Sequence, residues 1–144
     1  MYVLDSDVLT IISGSRRSPN VTAWYDSIDE TQIYLSVIAI QEKSKSAVTA
    51  AKKGDAPTAA LVERTLASLK SEFADRILAL DVVAAEDWGR MLGVQNKHVN
   101  DTAVAAIAKR HNFMVATRNV RDYVGRGAIV INPYDAPALI TRPT

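Results

Sequence analysis

Short apolar runs and longer stretches of helical periodicity alternate along the whole chain. Five apolar runs have the length of a buried strand, and they lie at residues 1–5, 32–35, 76–80, 113–116 and 128–131. Between them, apolar residues recur every three or four positions, which is the pattern of helices that pack on one face. The chain contains no Asn-Gly pair of the kind that closes a hairpin. This alternation predicts an α/β fold in which helices cover both faces of a mostly parallel sheet.

Polar residues that can cap a helix mark where most of the helices begin. Helices are predicted to start just after Asp5, Ser18, Ser36, Asp55, Asp81 and Asp101. The last of these is expected from Ala103 to about His111, with an irregular loop over 96–100 before it. In the helix after Ser36, the predicted buried face comprises Val37, Ile40, Ala47, Val48 and Ala51. That face would leave Glu42 on the opposite, solvated side.

The composition describes one globular domain over residues 1–144, since 48% of the residues are hydrophobic. No apolar run approaches the roughly 18 residues of a membrane span, and Asp5 interrupts the first run where a secretory signal would continue. A cytoplasmic location is therefore expected. The absence of cysteine removes disulfides, thiolate zinc sites and cysteine nucleophiles, and two histidines are too few for most zinc enzymes.

Positive charge is concentrated in one part of the chain, although the net charge is only +1. Between residues 97 and 126 there are two acidic residues, Asp101 and Asp122, and six basic ones: Lys97, Lys109, Arg110, Arg118, Arg121 and Arg126. An excess of four positive charges could guide a polyanionic substrate toward this segment. Taken alone, the same charges are more typical of solvated helix and loop faces.

Four acidic residues stand where an α/β chain would bring them together. Asp5 follows the first apolar run, Glu42 follows the second, Asp101 opens a helix rich in alanine, and Asp122 lies beyond the fourth run. The carboxyl ends of parallel strands form the ligand crevice of such folds, so these side chains can converge there. Converging carboxylates repel one another unless a cation offsets their charge, and Mg²⁺ or Mn²⁺ is the natural counterion.

Each of these acids also has an ordinary structural role open to it. Asp5 can cap the following helix, and Asp101 is a favourable acid in a first helical turn. Glu42 can be a solvated helix residue, and Asp122 can pair with a neighbouring arginine on the surface. The case for a metal site therefore depends on all four acids lying at the same edge of one predicted sheet.

Four segments containing these acids resemble, in order, the conserved motifs of PIN-domain ribonucleases, most closely the VapC and FitB type toxins of toxin–antitoxin pairs. They are Tyr2-Val3-Leu4-Asp5-Ser6-Asp7-Val8-Leu9, Leu35-Ser36-Val37-Ile38-Ala39-Ile40-Gln41-Glu42, Asp101-Thr102-Ala103-Val104-Ala105-Ala106-Ile107-Ala108 and Thr117-Arg118-Asn119-Val120-Arg121-Asp122-Tyr123. The likeness spans nearly the whole chain. It implies a PIN-like three-layer α/β/α sandwich with a mostly parallel five-stranded sheet.

The resemblance also implies an activity and partners. Mg²⁺ or Mn²⁺ would be held by Asp5 and Asp101, with Glu42 and Asp122 in support, and the protein would cut RNA endonucleolytically. A homodimer is expected, together with a small cognate antitoxin whose C-terminal segment blocks the acidic pocket. Operator DNA would be bound only through that antitoxin.

Further residues receive expected roles in that site. Ser6 keeps a hydroxyl that the family often has as Thr, while Thr117 and Asn119 are expected to orient the acids or contact the scissile phosphate. The expected RNA backbone contacts are Lys97, Arg118 and Arg121, with Lys109 and Arg126 as further candidates. The chain departs from the family pattern at Asp7, which adds a fifth carboxylate, and at Ala39 and Lys43 beside the second acid.

Two alternative functions stay open from the sequence. The Asp5-Ser6-Asp7-Val8 segment has the Asp-x-Asp form of a haloacid-dehalogenase-like phosphatase loop, although the chain lacks the later Asp-Asp pair of that class. The protein could also be a noncatalytic PIN-like binding module in which the acids only cap helices.

Overall fold

A single mixed sheet lies at the centre of the structure, a computed structural model that describes residues 1–94 and 97–144. Across the described residues the strands run in the order β3-β2-β1-β4-β5-β6. They are β1 Tyr2–Leu4, β2 Ile33–Ser36, β3 Ile77–Leu78, β4 Met114–Ala116, β5 Val130–Asn132 and β6 Leu139–Thr141. The first five are parallel to their neighbours, and β6 is antiparallel to β5. Because the order reverses between β1 and β4, a crevice is expected at the carboxyl ends of those strands.

The helices of the described ranges connect these strands and cover both faces of the sheet. They are α1 Ser6–Ile12, α2 Pro19–Ser27, α3 Val37–Lys52, α4 Ala56–Glu72, α5 Val82–Leu92, α6 Val99–His111 and α7 Val120–Val124. Ser18, Asp55 and Asp81 cap α2, α4 and α5 by accepting a hydrogen bond from a backbone N–H three residues on. The predicted starts after these residues are therefore confirmed.

Alternate residues of the central strands point into two separate cores. On one face, Val3 and Val115 pack with the fully buried stretch of α6 and with Tyr123. On the other face, Leu4 and Ala116 pack with the helices α1, α2 and α4. Period-two burial on both faces is the mark of a sheet enclosed between two helical layers, so the three-layer α/β/α sandwich predicted from the sequence is confirmed.

The sheet has one strand more than predicted, and one helix was also missed. The five predicted strands are present within two residues at most ends, but β6 was not foreseen because all three of its residues are exposed and carry no buried alternation. Helix α7 has only five residues, too few to show an apolar period. Both elements take their place from tertiary contacts with β5.

Helix α6 begins earlier than the sequence indicated. It starts at Val99, after His98 adopts the left-handed conformation with φ of 54° and accepts hydrogen bonds from the backbone and hydroxyl of Thr102 at the His98 carbonyl. Asp101 is thus a residue of the first turn and not a cap. The predicted loop over 96–100 is helical at Val99 and Asn100, and its residue Asn96 lies outside the described residues.

The predicted face of α3 was wrong. Ile38, Ala39 and Ala47 are the buried residues of this helix, whereas Val48 is 53% exposed. The inward stripe is therefore rotated by about one position from the predicted one, and Glu42 lies on its half-buried flank rather than in open solvent. The apolar side chain of Val48 misled the assignment because a lone exposed Val is common on a helix surface.

A separate question is whether any helix could cross a membrane. Within the part of the chain that the structure describes, no helix is both long enough and apolar enough to cross a membrane.

Candidate active site

Asp5 is fixed at the carboxyl end of the central strand β1. Its backbone N–H donates to the carbonyl of Ala116 at 3.0 Å, which extends the pairing of β1 with β4 by one residue. One carboxylate oxygen accepts from the N–H of Ser6 at 2.8 Å, and the other accepts from the Thr117 hydroxyl at 2.8 Å. The side chain is 4% exposed. Asp5 is therefore both the cap of α1 and a buried carboxylate aimed along the sheet edge.

Thr117 holds Asp5 from the neighbouring strand end. The residue follows β4 and is completely buried, and its hydroxyl donates to Asp5 while accepting the N–H of Asn119 at 2.9 Å. A hydroxyl with both partners fixed leaves the carboxylate little freedom to rotate. The expectation that Thr117 orients an acid agrees with this geometry.

Glu42 and Asp101 lie close enough to Asp5 for their charges to interact. The pKa of Glu42 is raised, first by burial and then by the negative charges of Asp5 and Asp101. The pKa of Asp101 is raised by burial, by Asp5 and by Asp122, while His98 acts in the opposite direction. Three of the four predicted acids thus meet at the edge formed by β1, α3 and α6.

Asp122 joins the group through Asp101 and His98. The His98 Nδ1 atom lies 3.7 Å from an oxygen of Asp101 and 4.0 Å from an oxygen of Asp122. One potential ligand atom from each of these three residues lies within 4.8 Å of the others. Asp5 and Glu42 are outside this group of three and interact with Asp101 through their charges. The four predicted acids thus lie at one edge of the sheet, although they are up to 117 residues apart in the sequence.

Tyr123 contacts the acids from the buried core. Its ring is fully buried, and its hydroxyl donates to an oxygen of Asp101 at 3.4 Å. Burial raises the pKa of this hydroxyl, and the nearby charges of Asp5 and Asp101 raise it further. The phenol therefore stays protonated at neutral pH and serves as a hydrogen-bond donor to the acids.

Arg126 links the two helices that carry Asp101 and Asp122. Its Nε donates to the Thr102 hydroxyl at 2.7 Å, and its Nη1 donates to the Asp122 carbonyl at 2.5 Å. Lys109 forms an ion pair with Asp87 at 3.3 Å. Both cations therefore have partners within the protein, which would compete with the RNA contacts suggested for them from the sequence.

The remaining predicted residues surround the acids. Ser6 starts α1 directly beside Asp5, and Asn119 is exposed at the start of α7. Lys97, Arg118 and Arg121 are exposed. Their expected roles toward RNA stay predictions.

Two features near the acids were not anticipated. His98 and Tyr123 approach the acids only because α6 starts early and α7 exists, and neither that early start nor α7 could be read from the sequence pattern. Ser36 directly precedes α3 as predicted, but its hydroxyl does not cap the helix. That hydroxyl is buried and has no hydrogen-bond partner among the described protein atoms.

The donor set fits a hard divalent cation. Carboxylate oxygens are the ligands that Mg²⁺ and Mn²⁺ prefer, and mutual repulsion among these acids is the feature that a cation would relieve. Ser6 and Thr117 donate to different oxygens of Asp5, and a carboxylate oxygen has two lone pairs, so the carboxylate could also ligate an ion. Continuing the β1–β2 register by two residues would place Ser36 opposite Asp5.

Comparison with known proteins places the chain among toxins. No model of a known protein family matches it. The chain is, however, 30% identical over 139 residues to the toxin FitB of Neisseria gonorrhoeae, across 93% of this chain and 99% of FitB. The chain belongs to the FitB and VapC family of PIN-domain toxins. It is also 30% identical over 145 residues to the plasmid stability protein StbB of Pseudomonas syringae, across 94% of this chain and all of StbB.

Solved structures of this family share the fold. The structure of FitAcB from Neisseria gonorrhoeae superimposes with a TM-score of 0.77 at 26% identity, over 93% of this chain and 99% of that one. The structure of FitAB bound to an IR36 DNA fragment gives a TM-score of 0.74 at 29% identity, over 94% of this chain and 96% of that one. The fold of a FitB-type PIN domain is thus established.

Asp7 lies beside the acids and is bound by the backbone. Its two carboxylate oxygens accept the backbone N–H groups of Val8 at 2.7 Å and of Arg118 at 3.0 Å, which ties α1 to the segment after β4. Burial and the negative charge of Asp5 raise the pKa of Asp7. The membership of the chain in the FitB and VapC family, rather than the state of Asp7, argues against the phosphatase alternative.

Proposed function

We propose that this toxin is a Mg²⁺- or Mn²⁺-dependent endoribonuclease that hydrolyses RNA phosphodiester bonds. The observation that carries the proposal is the convergence of Asp5, Glu42, Asp101 and Asp122 on one edge of the sheet, with interacting charges. A relative supports the choice of substrate: VapC ribonuclease Y4jK of Sinorhizobium fredii is 29% identical to this chain over 147 residues.

In this proposal the four acids have two different roles toward the ion. Asp5 and Asp101 would hold the ion, and Glu42 and Asp122 would hold its waters or a second ion. When bound, a divalent ion supplies a more acidic water and stabilises the negative charge that develops on the phosphate. Glu42 could accept a proton only while it is ionised, and a positive charge beside it would oppose the rise in its pKa that burial and the neighbouring acids cause.

The surrounding residues keep the acids in place for this chemistry. Thr117 fixes one oxygen of Asp5, and the neutral Tyr123 hydroxyl donates to Asp101. Arg126 joins the starts of α6 and α7, so that Asp101 and Asp122 keep their spacing. Preorganised groups of this kind reduce the cost of reorganisation in the transition state.

The proposal includes the partners of a toxin. A small cognate antitoxin would block the acidic pocket and would provide the only contact with operator DNA, and the toxin would form a homodimer. The related structure of FitAB bound to a DNA fragment supports this assembly. Sedimentation at twice the monomer mass is the expected result for the purified toxin.

Cleavage of RNA tests the activity. Purified protein should cut a structured RNA when Mn²⁺ is present and should stop when the metal is chelated. Asp5→Asn should abolish cleavage, whereas Glu86→Gln, at an exposed acid paired with Arg90 on α5, should leave it unchanged.

Three results would contradict the proposal. Intact RNA after incubation with Mn²⁺ would favour the noncatalytic binding module. Equal cleavage by the Asp5→Asn protein would point to a contaminating nuclease. Hydrolysis of a small phosphomonoester without RNA cleavage would favour the haloacid-dehalogenase-like phosphatase activity instead.

A further inference from the structure

A cavity rich in arginine adjoins the candidate metal centre. It has a volume of about 320 Å³ and lies between α1, the segment after β4 and the segment after β5. Its walls include Ser6, Asp7, Arg16, Arg17, Arg118 and Tyr134. Ser6 follows the buried Asp5 directly, so the cavity opens next to the acids but is a separate space. Of these six residues, only Ser6 and Arg118 were expected from the sequence to act in the nuclease site.

The cavity has the charge of an anion site. Within the described residues, no carboxylate oxygen lies within 4.0 Å of a guanidinium nitrogen of Arg16, Arg17 or Arg118. The single acid in the wall, Asp7, has both oxygens engaged by backbone N–H groups. Three arginines without an acidic partner therefore face one carboxylate that is already hydrogen-bonded. A phosphate, which arginine can bind through two parallel hydrogen bonds, suits these walls.

Arg118 lies over the ring of Tyr134 at one side of the cavity, and this stacked pair is here called the platform. The Arg118 guanidinium carbon lies 4.9 Å from the centre of the Tyr134 ring. Three hydrogen bonds fix Tyr134: its carbonyl accepts from Asn20, its N–H donates to Asn132, and its hydroxyl donates to the Asp7 carbonyl. Aromatic rings and guanidinium planes held rigidly in this way are surfaces on which an unpaired base can stack.

The cavity continues into a groove that leads away from the acids. A second space of about 680 Å³ shares Ile11, Arg16 and Arg17 with the first and extends along the start of α2 past Ser18 and Thr22. The two arginines thus stand at the junction. An extended strand could run from the acids through the arginine cavity and along α2.

We propose that the arginine cavity binds single-stranded RNA beside the scissile bond, with a backbone phosphate on Arg16 and Arg17 and a neighbouring base on the Tyr134–Arg118 platform. This inference rests on the proposed nuclease function and adds to it the path of the substrate. An acidic peptide would satisfy the arginines, but it would make no use of the stacking platform or of the continuity with the acids. The observations therefore favour a nucleotide chain.

RNA binding without metal tests the path independently of catalysis. A labelled oligouridylate of about ten nucleotides, a length within the usual site sizes for single strands, is titrated with the full-length toxin in chelator while fluorescence anisotropy is recorded. Replacing both Arg16 and Arg17 by Ala should weaken binding by about tenfold or more and should flatten the salt dependence by about 0.7 per lost phosphate contact. Mn²⁺ binding should be unchanged, because neither arginine touches the acids.

A matched pair of cations provides the control. Lys52 and Lys53 are also adjacent and exposed, and they lie at the far end of α3 from Glu42, about 15 Å along the helix at 1.5 Å per residue. Replacing both by Ala should change RNA affinity by less than about twofold. Equal weakening by the two double variants would show a general charge effect and would overturn the proposal.

The stacking platform has its own test. Tyr134→Ala should weaken oligouridylate binding by about fivefold or more, the factor that corresponds to the smallest stacking contribution per base. Tyr134→Phe keeps the ring and should bind as well as the unsubstituted protein. An equal loss of RNA affinity in both variants would show that the ring does not stack on a base. Thermal unfolding of each variant shows whether the fold is retained.

Two further outcomes separate this inference from the nuclease function. If polyglutamate binds as tightly as the RNA and loses the same affinity in the arginine double variant, the cavity serves an acidic peptide and the RNA path is wrong. If RNA binds as predicted but is never cut with Mn²⁺, the RNA path stands while the proposed catalysis fails.

Discussion

Glu42 is the acid of the candidate metal centre with the least local support. Asp5 is held by Ser6 and Thr117, and Asp101 receives a hydrogen bond from Tyr123. Glu42 is half-buried, and burial and two neighbouring carboxylates raise its pKa. Without a cation, its charge therefore opposes folding.

This imbalance predicts that Glu42→Gln makes the metal-free protein more stable, by up to about 1 kcal/mol, because its partly screened repulsion with the two neighbouring carboxylates disappears. The same change should reduce the stabilisation that Mn²⁺ provides. Urea unfolding in chelator and in Mn²⁺ measures both effects. Glu86→Gln removes an acid that attracts Arg90, so it should not stabilise the metal-free protein. A less stable Glu42→Gln protein in chelator would contradict the account.

The hydroxyl of Thr117 is expected to affect both stability and metal binding, because it holds Asp5. Thr117→Val keeps the shape of the side chain but leaves an Asp5 oxygen and the Asn119 N–H without their partner. We expect a loss of about 1–3 kcal/mol in unfolding free energy and metal binding weaker by about tenfold or more. Thr117→Ser retains the hydroxyl and should recover most of the affinity. Calorimetric titration with Mn²⁺ measures the affinities of the original protein and of the two variants. If the Thr117→Val protein binds Mn²⁺ as tightly as the original protein, Thr117 has no role in positioning Asp5 for the metal.

The sequence indicated Asp5 and Asp101 because one ends a strand and the other lies at a helix start, which are positions that local patterns define. Glu42 and Asp122 were indicated by their distance beyond an apolar run and by the family resemblance. The sequence could not identify Tyr123, His98 or Arg126 as neighbours of these acids. Those three residues reach the acids through the early start of α6 and through α7, and both depend on tertiary packing. The arginines of the cavity were missed for a similar reason, since Arg16 and Arg17 meet Arg118 only after β1 and β4 pair.

At the scale of elements, α6 is enclosed by the rest of the molecule. The run Thr102–Ala108 is buried throughout because the helix lies between the sheet and α5. A helix that is buried all round carries little periodicity, so its alanine-rich sequence indicated a helix but not its boundaries. By contrast, the amphipathic α3 showed a period whose phase was misjudged because Val48 is exposed.

The start of α5 provides a pH-dependent prediction away from the metal centre. Asp81 caps this helix by accepting the Ala84 N–H at 2.9 Å, and it pairs with Arg110 of α6 at 3.1 Å. The Ala84 hydrogen bond lowers the pKa of Asp81, and Arg110 lowers it further. Because the folded pKa is lowered, the stabilising effect is present above the ordinary carboxyl pKa and disappears as the pH falls through the lowered value.

Asp81→Asn should therefore destabilise the protein at neutral pH, while keeping an effective cap, because it loses the charge that pairs with Arg110. The difference in urea midpoint between the original and variant proteins should shrink as the pH is lowered into the acid range. Asp29 on the short turn before β2 has a pKa lowered by Thr31 alone, so Asp29→Asn serves as a comparison without an ion pair. A difference that grows at acid pH would contradict the sign.

At the scale of the whole molecule, the strand order determines where chemistry can occur. The reversal between β1 and β4 brings Asp5 and Thr117 side by side, and the helices that follow β2 and precede β4 deliver Glu42 and Asp101 to the same edge. The five parallel strands were predictable from apolar runs alone, whereas β6 is an exposed edge strand without such a signal. The architecture was therefore accessible from sequence, and the detailed lining of the site was not.

Metal binding tests the central claim most directly. In calorimetric titration with Mn²⁺, the full-length protein should show saturable binding that Asp5→Asn and Asp101→Asn each abolish, and Glu86→Gln should bind like the original. The absence of any saturable binding, or binding that survives both substitutions unchanged, would contradict the claim that these acids share a divalent ion.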